Sequence, residues 1–195
     1  MSETESGTVE ATRRRLSGKQ ADTVDKLTKA AVEVLAREGF AGMTIRMVAS
    51  AAGVGTATAY TYFSSKEHLV AEIFWRRLNA ASTPASEDGD PTVRVVAELR
   101  GIAMLVAEEK ELSGAVTSAL LGRDPDVEHL RARIGAEIRK RLIRALRTGD
   151  GEPDPDIIES LELLYAGALV RAGMGYASYA DIADRLEKSA LLILR

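Results

Sequence analysis

Residues 40–69 read FAGMTIRMVASAAGVGTATAYTYFSSKEHL, and this stretch decides the fold. Thr44 carries a hydroxyl able to cap free N–H groups, and Gly53 stands where a helix needs a left-handed C-terminal residue, so a short helix over about 44–52 is expected. Val54 plugs the turn, Gly55 acts as the next N-cap, and Thr56 to Phe63 form a second helix. Ser64 then opens S-S-K-E with Glu67 three residues on, the pattern of a capping box, which starts a third helix with Lys66 in its first turn. Two short helices around a tight turn make a helix-turn-helix reading head at about 44–63.

The side chains of the second helix divide by face. Ala59 and Phe63 are four apart and face the core, while Thr56, Ala57, Thr58, Tyr60, Thr61 and Tyr62 place hydroxyls, a methyl and two phenols on the other sides. A recognition helix presents its N-terminal residues to base edges, with hydroxyls and a lysine such as Lys66 holding phosphates on the flanks. Arg46, on the preceding helix, can pair with two acceptors of guanine at once and is the best single candidate for direct readout. Each residue also has a plainer reading: Tyr60 and Tyr62 as half-buried core aromatics, Arg46 and Lys66 as solvated charges, Thr44 as a cap alone. Their weight as a DNA surface comes from standing together.

The sequence resembles the TetR (tetracycline-repressor-like) family of bacterial transcriptional regulators. The resemblance rests on Glu38-Gly39-Phe40, Thr44, Val48-Ala49, Ala52-Gly53-Val54, Tyr60-x-Tyr62-Phe63 and Ser65-Lys66-Glu67-x-Leu69, in order, within roughly residues 20–80. It implies that Arg46, Thr56, Ala57 and Tyr60 touch bases and that Thr58, Tyr62 and Lys66 hold phosphates. The chain departs from the family pattern at Gly55, where Ser is commoner, at Ala59, where Leu is commoner, and at Ile45, where some members place a phosphate-binding hydroxyl.

Composition narrows the remaining classes. The 195 residues are 46% apolar, enough for one good core or two small ones, and lack the depleted hydrophobicity of a disordered chain. With no Cys there is neither a disulfide framework nor a thiolate metal site, and no signal-peptide pattern opens the chain. The longest apolar stretches reach about half of a membrane span, so no membrane partner and a cytoplasmic location are expected. The net charge of -3 divides unevenly: residues 1–80 hold 11 Lys+Arg against 9 Asp+Glu, and residues 81–195 hold 15 against 20. A mildly basic head must therefore aim its positive charge by local geometry.

The period is helical nearly everywhere, which makes the chain all-α. Residues 1–18 form a disordered basic leader with Arg13, Arg14 and Arg15, read as a solubilising tail or a phosphate-tracking arm; 19–66 hold the DNA-binding domain; 67–195 hold a helical domain for effector binding and dimerisation. A first helix over Gln20 to Arg37 packs on the reading head, and 82–91 break the pattern. Further helices are expected at roughly 92–109, 111–121, 126–147, 155–178 and 181–194. Apolar residues wrap nearly all round 155–178, more than one core can cover, so this helix and 181–194 form a homodimer surface, with the centre of a monomeric bundle as the alternative. The resemblance implies the same pairing, as a four-helix bundle, and a small-molecule effector held among the C-terminal helices. Met104, Val116, Leu120, Leu142, Tyr165, Leu169 and Met174 either line an apolar cavity for it or are plain core. The resulting expectation is a ligand-responsive repressor of a palindromic operator on double-stranded DNA, without cofactor. A helical adaptor without DNA binding and a helical enzyme are the other classes. The only histidines, His68 and His129, fall on helices assigned to different domains, and no triad or metal spacing emerges, so neither a catalytic nor a metal site is expected.

Overall fold

Three helices of this protein start on the same two residues, Asp followed by Pro. Asp90, Asp124 and Asp154 each accept a hydrogen bond from the backbone N–H two residues on, while Pro91, Pro125 and Pro155 occupy the first helical position, where no N–H is needed. The computed structural model describes residues 18–81, 89–149 and 151–195; the leader, with its three arginines, lies outside them. Among the described residues the chain is helical without strands. The order is α1 (Gly18–Gly42), α2 (Ile45–Ala51), α3 (Thr56–Tyr62), α4 (Lys66–Ala80), α5 (Pro91–Met104), α6 (Lys110–Leu121), α7 (Pro125–Leu146), α8 (Pro155–Gly173) and α9 (Tyr179–Ile193).

Two boundaries differ from expectation for local reasons. The first helix does not stop at Arg37: Gly39 takes a left-handed φ of 66°, and helical bonding resumes beyond it with Met43 N–H donating to the Gly39 carbonyl at 3.1 Å. The helix expected over 155–178 ends at Gly173. Gly175, at φ 77°, donates to the Ala172 carbonyl and Tyr176 donates to that of Arg171, which closes the end as a Schellman motif.

The helices bury one large apolar core, with a smaller cluster of Ala71, Val127 and Leu130 between α4 and α7. Leu27 and Leu35 of α1 meet Leu112 and Val116 of α6 in the large core, together with Leu69, Phe74 and Leu78 of α4 and Leu99 and Ile102 of α5. α1 packs on α2, α4 and α6, α4 packs on α6 and α7, and α5 lies against α7 and α9. α8 packs on α6, α7 and α9. The reading head is thus joined to the body through α1 and α4.

α4 is held by polar contacts at its two ends as well. Its last carbonyls, those of Leu78 and Ala81, accept from the buried Arg141 guanidinium of α7 at 2.5 and 3.3 Å. Arg141 also donates to Glu137 at 3.1 Å and lies 3.8 Å from Glu98 of α5. A charge taken out of water needs this many partners. Glu98 fares worse: it is 3% exposed, and one carboxyl oxygen has no hydrogen-bond partner among the described residues. Burial pushes its carboxyl above the ordinary carboxylate range, against the opposing pull of the Arg141 and Arg144 guanidinium groups.

A carboxyl whose folded pKa is raised contributes stability that is fully present below its unfolded pKa, about 4.3, and is lost as pH rises through the folded value. Glu98→Gln removes this slope. In urea melts from about pH 4 upward, the variant's stability relative to the parent should rise with pH and then level off. A relative stability that falls as pH rises would mean that the Arg141 attraction outweighs the burial.

Candidate nucleic-acid interface and ligand cavity

The turn between α2 and α3 is built as the residues dictate. Thr44 sits in extended backbone and its hydroxyl accepts from Met47 N–H at 3.3 Å, capping α2. At the other end Gly53 takes φ 65° and donates to the Ser50 carbonyl, while Val54 donates to that of Ala49 at 2.9 Å. This is again a Schellman motif, with Val54 packed on the core as its apolar contact. Gly55 caps α3 with backbone alone. Ala59 and Phe63 are buried, so the opposite face of α3 is fixed outward.

That outward face carries the residues singled out from sequence. Arg46, Thr56, Ala57, Thr58 and Thr61 are exposed, and Tyr60 is 52% exposed. Tyr60 thus keeps about half its surface in water, whereas Tyr62 is more deeply set and packs on the core. The Thr61 hydroxyl donates to the Ala57 carbonyl of its own helix at 3.1 Å. Lys66 is engaged within the protein: its ammonium donates to the Phe40 and Ala41 carbonyls at 2.7 and 3.3 Å and lies 4.7 Å above the Phe40 ring. Two carbonyls take two of an ammonium's three N–H groups, leaving one for a phosphate.

The capping box expected at Ser64 and Glu67 is replaced by a contact with α7. Ser65 is the N-cap of α4, accepting from His68 N–H at 2.9 Å, because the Ser64 hydroxyl is drawn instead to Asp126 of α7 at 2.5 Å. Beside it, Asp124 is raised by burial, but hydrogen bonds from Ser65 and from the Val127 and Asp126 N–H groups outweigh that and hold its carboxyl below the usual range. Ser64, His68 and Asp126 have the composition of a hydrolase triad but not its geometry. The Ser64 hydroxyl and the Asp126 carboxylate both face the same ring nitrogen, His68 Nδ1, at 3.3 and 3.9 Å, so the imidazole cannot relay a proton between them. His129 is exposed, and no group of acidic and histidine side chains suited to a metal occurs among the described residues.

A cavity of about 370 Å³ lies among α4, α6, α7 and α8. Val116, Leu120, Tyr165 and Leu169 line it as expected. Met104, Leu142 and Met174 do not: Met104 and Met174 are exposed at the ends of α5 and α8, and Leu142 is buried in the core beyond the cavity. The missed part of the wall includes Phe74 of α4 and, on α7, Arg131, Ile134, Gly135 and Ile138. Those four α7 positions follow the i, i+3, i+4, i+7 spacing of one helix face, a signal present in the sequence. The α8 side is tightly fitted. A Cβ at Gly173 would sit 2.3 Å from Thr117 Cγ2, and the Thr117 hydroxyl bonds that of Tyr179 at 2.7 Å.

On the outer side, α8 and α9 leave apolar side chains in water. Leu163 is 67% and Leu192 61% exposed, and the groove between the helices is walled by Leu163, Leu164, Gly167 and Leu186, with Arg171 and Arg185 beside them. Isolated exposed leucines are ordinary, but an apolar groove on two adjacent helices marks an interaction surface.

Similarity to other proteins agrees with this geometry. Residues 27–73 match the tetR family of bacterial regulatory proteins. The chain is 42% identical over 178 residues to the HTH-type transcriptional regulator Rv0767c of Mycobacterium tuberculosis, covering 90% of this chain and 82% of that protein. It is 24% identical over 183 residues to the HTH-type transcriptional repressor KstR of Rhodococcus jostii, covering 91% of this chain and 85% of that protein. In fold it resembles a TetR transcriptional regulator from Rhodococcus sp. RHA1, with a TM-score of 0.74 at 21% identity over 90% of this chain and 97% of that one. A TetR transcription regulator from Haloarcula marismortui aligns with a TM-score of 0.66 at 20% identity, covering 89% and 96% of the two chains. An intact reading head and close similarity along nine-tenths of the chain to a helix-turn-helix regulator lead to one conclusion: the protein belongs to the tetR family of bacterial regulatory proteins.

Proposed function

We propose that the protein is a homodimeric repressor of transcription that binds a palindromic operator and is released by a small apolar or amphipathic effector. The observation that carries this reading is the outward face of α2 and α3, where Arg46, Thr56, Ala57, Thr58 and Tyr60 are exposed around a buried Ala59. The sense of regulation is supported by the Rhodococcus jostii relative, which is named a repressor. In this reading residues 19–66 are the DNA-binding domain and 67–195 the effector and dimer domain, and α8 and α9 pair with their copies across the Leu163 and Leu192 face. Arg46, Thr56, Ala57 and Tyr60 read bases, and Thr44, Thr58, Thr61, Tyr62 and Lys66 hold the backbone.

The contacts of α7 supply a physical route from effector to DNA. α7 walls the cavity with Ile134 and Ile138, meets the start of α4 through Asp126 and Ser64, and holds its end through Arg141. A ligand that displaces α7 displaces α4 and the head attached to it. For release, the ligand must bind the DNA-incompetent arrangement better, by about 1–3 kcal/mol for ordinary allosteric coupling, and operator DNA must weaken the ligand by the same factor.

Binding titrations on specific and scrambled duplexes at several salt concentrations separate the DNA roles. Arg46→Ala should lose about 1–3 kcal/mol of discrimination at one position per half-site. Lys66→Ala should weaken all sequences alike and make the log-log salt slope shallower by about one unit; an unchanged slope would assign Lys66 to the Phe40 and Ala41 carbonyls alone. Selection from random DNA should return two half-sites about 34–36 Å apart, or a multiple of that spacing. Leu163→Glu combined with Leu192→Glu should give a monomer by sedimentation velocity and lose the paired half-sites. A double variant that sediments as a dimer rules out this face as the interface.

A further inference from the structure

Arg131 of α7 is an exposed residue of the cavity wall, and its guanidinium is fixed there by donating to the Gly122 carbonyl at the end of α6, at 2.7 Å. A guanidinium has five N–H groups, and this contact takes one of them. Among the described residues no carboxylate lies within ion-pair distance of it. The other charged wall residue, Glu162, is matched by Arg139 at 2.6 Å, so Arg131 leaves the wall with an excess of one positive charge. The rest of the wall offers a ligand hydrocarbon, from Phe74, Val116, Ile134, Ile138 and Leu169. The Tyr165 hydroxyl is shut off from the cavity, and the Thr117 hydroxyl is taken by that of Tyr179. Leu121, also in the wall, is 62% exposed, so an apolar side chain and a cation share the open side.

We infer that Arg131 is a specificity-determining residue of this cavity, and that it selects an amphiphile with an apolar body and one anionic head, a carboxylate. This rests on the effector reading of the cavity given above. The body, withdrawn from water against Phe74, Ile134 and Ile138, supplies affinity without preferring any head. The head supplies the preference. A carboxylate accepts from the remaining N–H groups of Arg131 in the forked geometry that the two planar groups share. Because Arg131 is exposed, the head keeps part of its hydration, and the full cost of burying a charge does not arise. The bond to Gly122 orders the long side chain before the ligand arrives, which lowers the entropy lost on binding. An alcohol head brings no charge to the guanidinium. An ammonium head meets like charge at Arg131 and reaches Glu162 only in competition with Arg139.

Decanoate, decanol and decylammonium share one chain and differ in the head. Each is titrated by calorimetry into the full-length protein below its micelle concentration, at about pH 7, where the first is an anion and the third a cation. The wild-type protein should bind decanoate about fivefold more tightly than decanol, the upper size of an ion pair at an exposed site, and decylammonium most weakly. Added salt should shrink the preference. Arg131→Gln should abolish it at unchanged decanol affinity, and Arg131→Lys should keep part of it. Arg133→Gln removes a cation of the same helix that lies 4.4 Å above the Trp75 ring, and should leave the preference intact. Equal wild-type affinity for decanoate and decanol, tightest binding of decylammonium, or a preference that survives Arg131→Gln or falls equally in Arg133→Gln overturns the inference and leaves the cavity as an effector site. The expected preference with no change in affinity for the selected operator upholds Arg131 and overturns the effector reading. Binding of none of the three by the wild-type protein overturns both.

Discussion

Everything in this molecule depends on the burial of α4. Leu69, Phe74 and Leu78 are withdrawn from water along its length, and the same fifteen-residue helix begins beside the reading head and ends under Arg141. A helix packed so closely moves as a unit or not at all, since interiors resist continuous deformation. The polar contacts stand at its ends, where backbone groups lack helical partners: Ser65 caps the start, and Arg141 donates to the Leu78 and Ala81 carbonyls at the finish. Placing Phe74 in the cavity wall puts the proposed effector site against the same rod. Regulation by a ligand therefore requires no long chain of intermediates here, because one helix touches both sites.

The reading head was legible because its determinants are local. Thr44 caps three residues on, Gly53 supplies the positive φ that its own turn needs, and the four-residue spacing of Ala59 and Phe63 sets which face is buried. Local patterns said less where a distant residue decided the outcome. Ser64 satisfies the capping pattern, but Asp126, sixty-two positions away, takes its hydroxyl and leaves the cap to Ser65. Lys66 has the spacing of a phosphate holder, and only the folded chain shows its ammonium on the end of α1. The burial of Glu98 and Arg141 likewise follows from the packing of α5 on α7, which no local pattern announces.

The cavity shows the same limit in another form. Helical periodicity identifies an inward face but not which neighbour that face meets, so Leu142 was as plausible a wall residue as Ile138, one turn away on α7. The methionines were weighed for adaptability, yet Met104 and Met174 fall at helix ends, where side chains lose neighbours on one side. Tyr165 does line the cavity, and its hydroxyl, like one Glu98 oxygen, has no hydrogen-bond partner among the described residues.

The α7 wall of the cavity and the end of α8 differ in how freely they can change over evolution. At Gly173 even one added carbon collides with Thr117, whose hydroxyl is tied to Tyr179, so a replacement there disturbs three helices at once. Gly135, on the α7 side of the same cavity, would carry a Cβ into open space. Alanine is also a better helix former than glycine by about 1 kcal/mol, so a side chain at that position meets neither a steric nor a conformational barrier. Divergence in ligand range among descendants of this protein would then run through α7, the wall that adjoins α4, while the end of α8 stays constant. Changes in what the protein senses and in how strongly it responds would arise from the same substitutions.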